Sequence, residues 1–120
     1  SKTSILTLHL DKNIINKELT LFLNANNYSL IVQNSTEQAI EYIQKNKTSL
    51  VLLGFQDNEE ITLNVIERIK QTYSNIQIIL VASIEKFQQS EGFSHYPINE
   101  YLLLPFHTSE LLFRIQSLNC

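Results

Sequence analysis

Methionine and tryptophan are absent, glycine and proline occur twice each, and the one cysteine, Cys120, is the last of 120 residues. A lone cysteine excludes an internal disulfide framework and a thiolate zinc site. So little Gly and Pro excludes collagen-like, linker-like and most turn-rich all-β architectures. Two arginines and a net charge of −3 leave no electrostatic footprint for nucleic acid, so direct nucleic-acid binding is not expected. No apolar run approaches the roughly 20 residues that span a bilayer, and no signal peptide opens the chain. The expectation is one cytoplasmic domain without membrane contact. Aspartate is scarce in a more telling way. Ten of the 12 acids are Glu, and only Asp11 and Asp57 are Asp.

What is present is aliphatic: 18 Leu and 15 Ile in a chain that is 43% hydrophobic, enough for a core without disulfides or metals. Residues 4–10 read as a buried strand, and Ile15, Leu19, Phe22 and Leu23 recur at helical spacing to about Ala25. Residues 29–33 form a second strand. Ser35 and Gln38 then resemble a capping box ahead of a helix carrying Ala39, Ile40 and Ile43. Residues 49–53 are apolar on both faces, as a central parallel strand requires. Ile61, Val65, Ile66, Ile69 and Tyr73 mark the third helix, 76–81 the fourth strand, and 100–105 the fifth. Leu111, Leu112, Ile115 and Leu118 stripe the last helix. Strict alternation implies right-handed crossovers and an α/β, flavodoxin-like (βα)5 three-layer sandwich. Its five-stranded parallel sheet is expected in the order 2-1-3-4-5, with any ligand at the carboxyl ends of strands one and three.

The stretch Tyr101-Leu-Leu-Leu-Pro-Phe106 followed by Glu110-Leu-Leu-Phe-Arg-Ile115 resembles the receiver domain of bacterial response regulators. Members of that family read D-Y-L-x-K-P-F and then E-L-L-x-R-I. The likeness covers the whole chain, 1–120, as one receiver-like domain that stands alone or opens a longer regulator. It implies a specific chemistry. A carboxylate at the end of the third strand takes a phosphoryl group, two acids after the first strand hold Mg²⁺, and a fifth-strand Lys and a fourth-strand Thr or Ser bind phosphoryl oxygens.

Position by position, those groups are missing. The acceptor falls on Gly54, the acid pair on His9 and Leu10, the Lys on Leu104, and the hydroxyl on Ala82 with Ser83 one residue on. Asp11 matches the third acid of the usual run. Phosphoryl transfer depends on positioning and electrostatic stabilisation, and this loss removes both. The expectation is a pseudo-receiver with no catalytic residue, no metal and no cofactor, which is not an enzyme. Asp57 lies in the right loop for a relocated acceptor, but Asp just ahead of a helix also suits an N-cap. Asp11 likewise suits a cap of the first helix, and His9 a half-buried packing role. His95, His107 and Cys120 have no partners in register for chemistry.

Function is then expected to lie in protein–protein contact: dimerisation, or docking of a partner or output domain. A relocated phosphoacceptor and a small-molecule sensor using the emptied pocket are the alternatives. The expected surface is formed by the fourth helix, fifth strand and fifth helix. There Phe87, Tyr101 and Phe113 would make an aromatic patch rimmed by Glu100 and Arg114. The competing reading has Phe113 folded down over Tyr101. Gly92 and Pro97 are expected to limit the fourth helix to about 84–90, leaving 91–97 irregular and mobile.

Overall fold

The computed structural model describes residues 2–118; Cys120 lies outside the described residues. Five strands, β1 (Thr3–Leu8), β2 (Tyr28–Gln33), β3 (Leu50–Gly54), β4 (Gln77–Ser83) and β5 (Glu100–Leu104), alternate with five helices. The helices are α1 (Lys17–Ala25), α2 (Thr36–Asn46), α3 (Glu59–Thr72), α4 (Ile84–Gln89) and α5 (Thr108–Ser117). All pairings are parallel, in the order β2-β1-β3-β4-β5. That is the order expected from the alternation.

The two-residue repeat of the strands divides the apolar side chains between two layers. Leu6, Leu8, Val51, Leu53, Ile78 and Leu80 face α2 and α3 with Ala39, Ile43, Ile66 and Ile69. Ile5, Leu50, Leu52, Ile79, Val81 and Leu102 face α1 and α5 with Leu19, Leu23, Leu111 and Ile115. Every residue of β3 is buried, because both layers meet on it.

Helix starts follow local capping. Asn16, Ser35, Asn58 and Ser83 each accept a hydrogen bond from the backbone amide three residues on. Ser35 thus fulfils its half of the expected capping box. Two expectations are corrected: Asn16 rather than Asp11 caps α1, and Asn58 rather than Asp57 caps α3. The reason is that α1 begins only at Lys17. The Asp11 carboxylate instead seals the preceding turn by accepting from the amides of Asn13 at 2.8 Å and Ile14 at 3.2 Å.

The fourth helix is short, as expected. Beyond it Glu91, Gly92 and Phe93 take φ of 53°, 64° and 61°, so the backbone turns left-handed. This segment is irregular, but its packing argues against the mobility expected of it. Phe93 and Tyr96 are both buried, and their amides donate to the carbonyls of Ser90 and Phe93. The helix ends where Gly92 and Pro97 imply, but burial of the Phe93 and Tyr96 rings holds the irregular segment in place.

Candidate functional site

The carboxyl ends of β1, β3, β4 and β5 surround a shallow depression of about 270 Å³. His9, Leu10, Asp11, Gly54, Ala82, Ser83 and Leu104 all line it, together with Asp57 and Lys86. The fold therefore brings together all seven positions singled out from sequence.

The floor is decided by one close approach. β1 ends at Leu8, and His9 adopts φ 58°, a left-handed conformation that L residues seldom take. This turn lays the His9 carbonyl over Gly54. A Cβ added to Gly54 would stand 2.1 Å from the His9 carbonyl oxygen, 2.9 Å from its carbon and 3.0 Å from a methyl of Leu10. Glycine is needed there for space. The His9 ring points elsewhere, with Nε2 at 3.0 Å from the Thr36 hydroxyl in the first turn of α2.

The remaining positions are occupied by structural duties. Leu10 and Leu104 pack against the α1–α5 core, and Ala82, 2% exposed, belongs to the opposite layer. The Ser83 hydroxyl caps α4. Asp11 is held in its turn, and Asp57 is exposed at the rim with φ 22°. Sequence reasoning missed Lys86. Its ammonium donates to the Asp57 carbonyl at 3.1 Å and lies 5.8 Å from the centre of the Phe55 ring, tying α4 to the β3–α3 loop. Its place three residues after the Ser83 cap was the available signal.

A Mg²⁺ ion does not fit these residues. It asks for oxygen ligands in near-octahedral array. Here a partly buried leucine packed against the α1–α5 core and a histidine turned to Thr36 stand at the acid pair, while Asp11 is held by two backbone amides. Among the described residues no three His, Cys, Asp or Glu side chains come together in a metal-binding group.

Burial lowers the pKa of His9 below its ordinary 6.5, so the ring is neutral at pH 7. The unfolded chain takes up the proton first as pH falls. Its stabilising effect is therefore complete above the unfolded value and is lost as pH drops through 6.5 toward the folded one. Urea titrations at pH 7.5 and 5.5 should show the protein weaker at the lower pH. His9→Asn, which tolerates the left-handed backbone, should reduce that difference. An equal difference in both proteins would assign the pH dependence to other groups.

The expected aromatic surface is only partly assembled. Phe87 and Tyr101 stack with centroids 4.8 Å apart, and both approach Phe93. Phe113 does not join them: Phe87 and Tyr101 pack in the α2–α3 layer, whereas α5 covers the other face of the sheet. Alternation along β5 explains the split, since Tyr101 points to one face and Leu102 to the other. The alternative, with Phe113 lying over Tyr101, also fails, because Phe113 is 65% exposed and makes no ring contact among the described residues. Glu100 and Arg114 pair with each other at 3.3 Å, bridging β5 and α5.

No family model matches the chain. Response regulator ArlR of Staphylococcus haemolyticus is 25% identical over 115 residues, covering 96% of this chain and 52% of that protein. The chain thus spans about half the length of the curated relative it matches. Among solved structures, NtrX from Brucella abortus in complex with ATP superposes with a TM-score of 0.80 at 13% identity, over 98% of this chain and 26% of that one. A response regulator from Thermotoga maritima gives 0.78 at 18% identity, over 98% and 97%. No helix among the described residues is long and apolar enough to cross a membrane. With its strand order, its helix layers and these likenesses, the chain has the fold of response-regulator receiver domains.

Proposed function

We propose that this chain is a cytoplasmic receiver-fold signalling module that works without an aspartyl-phosphate switch and acts by protein–protein contact in a two-component or transcriptional regulatory system. The observation that carries this reading is the His9 carbonyl lying where any Gly54 side chain would begin. A nucleophile there requires the β1–α1 loop to move. Leu10 and Leu104 add apolar bulk at the positions where a metal ligand and a cation would act. The chain then performs no catalysis and needs no cofactor. The partner is another copy or an output domain, whether separate or in the same polypeptide.

Acetyl phosphate with Mg²⁺ is the direct test. The expected result is no acid-stable, base-labile phosphate, and no rise in melting temperature with Mg²⁺ and beryllofluoride. Stoichiometric label that disappears in Asp57→Ala would replace this reading by the relocated acceptor. Native mass spectrometry of freshly purified chain is expected to give the bare polypeptide mass. A retained small molecule would instead favour a sensor.

A further inference from the structure

β2 is an edge of the sheet, since the order β2-β1-β3-β4-β5 gives it a neighbour on one side only. Its pairing fixes which backbone groups are left over. The Thr3 amide donates to the Asn27 carbonyl at 3.0 Å, and Thr3 stands in register with Tyr28. Residues 29, 31 and 33 therefore bond to β1, while Leu30 and Val32 turn their amides and carbonyls outward. Side chains alternate as well. Leu30 lies in the α1–α5 layer, so Val32, 50% exposed, faces the same way, and Ser29, Ile31 and Gln33 face the α2 side.

The two edges of the sheet differ. β5 opens on Glu100, held by Arg114 at 3.3 Å, and runs into Pro105. Charge and proline are the usual guards against strand addition. Residues 26–36, through β2 and its flanking turns, contain neither. On the α2 side, Glu41 and Lys45 pair with each other at 3.1 Å. With Gln33, Gln38 and Tyr42 they line a groove of about 250 Å³ beside the strand.

We infer that the outer edge of β2 receives an extended segment of a partner protein, which adds to the sheet as a sixth strand. The inference rests on the reading of the chain as an interaction module. The backbone repeat selects the occupant. Outward amides and carbonyls two residues apart are met together only by another extended backbone. Its side chains are apolar beside Leu30 and Val32, and polar where they enter the groove that Glu41 and Lys45 line. Size then decides between a segment and a folded copy. A strand of six residues presents an edge about 20 Å long and about 10 Å deep, roughly 200 Å². That is well short of the about 800 Å² per partner that a standard interface between folded domains buries. Strand addition does not need that area, because main-chain hydrogen bonds supply its affinity.

Hydrogen exchange read by NMR tests this with a short peptide of alternating valine and threonine, acetylated, amidated and closed by one lysine for solubility. In the free chain the amides of Leu30 and Val32 should exchange fast, while those of residues 29, 31 and 33 are protected. Peptide at about 1 mM should slow Leu30 and Val32 roughly tenfold, which corresponds to a dissociation constant of about 0.1 mM. The same peptide N-methylated at every valine and threonine should protect neither. Val32→Lys should abolish the protection with circular dichroism unchanged, and Phe113→Glu on α5 should behave as wild type. Protection of Leu30 and Val32 before peptide is added overturns the inference, and a protection that grows with protein concentration would give the edge to a second copy. Unchanged exchange at that peptide concentration overturns it too, as does equal slowing by the methylated peptide or in folded Val32→Lys. The methylated peptide carries the test even where Val32→Lys does not fold. The acetyl phosphate assay is a separate readout. An unlabelled chain whose edge amides ignore the peptide would lose this surface and keep the proposed function, and a labelled chain with protected edge amides would do the reverse.

Discussion

Gly54→Ala is expected to lower the unfolding free energy by about 3 kcal/mol, at the upper end of what overpacking a well-packed core costs. The new Cβ would start 2.1 Å from the His9 carbonyl oxygen, and that neighbour is backbone that cannot rotate away like a side-chain tip. Relief requires His9 to leave its left-handed conformation, with loss of its hydrogen bond to Thr36, or β3 to shift between two packed layers. For a chain of this length the loss corresponds to a fall in melting temperature of roughly 10 °C. Differential scanning calorimetry of the variant checks it. A melting temperature within two or three degrees of wild type would mean that the His9 carbonyl is not fixed above Gly54.

Gly54→Asp carries the same steric cost and a carboxylate into a depression where Leu10, Ala82 and Leu104 stand beside Asp11 and Asp57, and where Lys86 is engaged by the Asp57 carbonyl. It should be destabilised at least as much as the alanine variant, and acetyl phosphate should leave it unlabelled. Restoring the nucleophile alone restores neither a metal nor a cation positioned for the phosphoryl oxygens. The loop conformation and Gly54 depend on each other, so reversion would need changes at both.

The strands and their order were legible in the sequence because each apolar run has the length and two-sided burial of a parallel strand. Residues 49–53, all buried in β3, are the clearest case. Which residues meet at the carboxyl ends of the strands was legible as well, since the strand ends could be counted and the side chains read off. The reason Gly54 must be glycine was not. It lies in the φ of His9, where the moderate left-handed preference of histidine was too weak a signal to read, and in a contact across two strands. The aromatic patch failed for a reason the sequence did contain. Tyr101 and Leu102 are adjacent on a strand, so a helix packed over Leu102 cannot also bring Phe113 onto Tyr101. Placing Phe87, Tyr101 and Phe113 on one surface of helix, strand and helix overlooked which face of the sheet each strand residue occupies. The helix caps show a smaller version of the same limit. Asp and Asn are both good caps, and propensity alone did not choose Asn16 over Asp11 or Asn58 over Asp57.

Phe93→Ala should cost about 3–5 kcal/mol, the range for removing a large buried aromatic. Phe93 is 4% exposed and is the hub of a ring cluster, with centroids 5.0 Å from Tyr96, 5.4 Å from Phe87 and 6.0 Å from both Phe55 and Tyr101. These rings come from the β3–α3 loop, α4, the segment after it and β5. α4 has no fully buried residue of its own. What holds it to the sheet is Phe87, wedged between Phe93 and Tyr101, and the Lys86 bond to the Asp57 carbonyl. The left-handed run through residues 91–93 disfavours the segment by roughly 1–2 kcal/mol for each non-glycine residue, and burial of the Phe93 ring offsets it. Truncating the ring therefore removes the compensation and leaves the strain. The loss should appear locally before it appears globally. In hydrogen exchange, amides of residues 84–97 should lose protection in the variant while those of β1 and β3 keep theirs under conditions where the fold persists. Uniform loss of protection across the sheet would mean that the cluster is continuous with the main core and that α4 does not open on its own. Protection in 84–97 matching wild type, with the melting temperature unchanged, would remove Phe93 from its place as the anchor of this face.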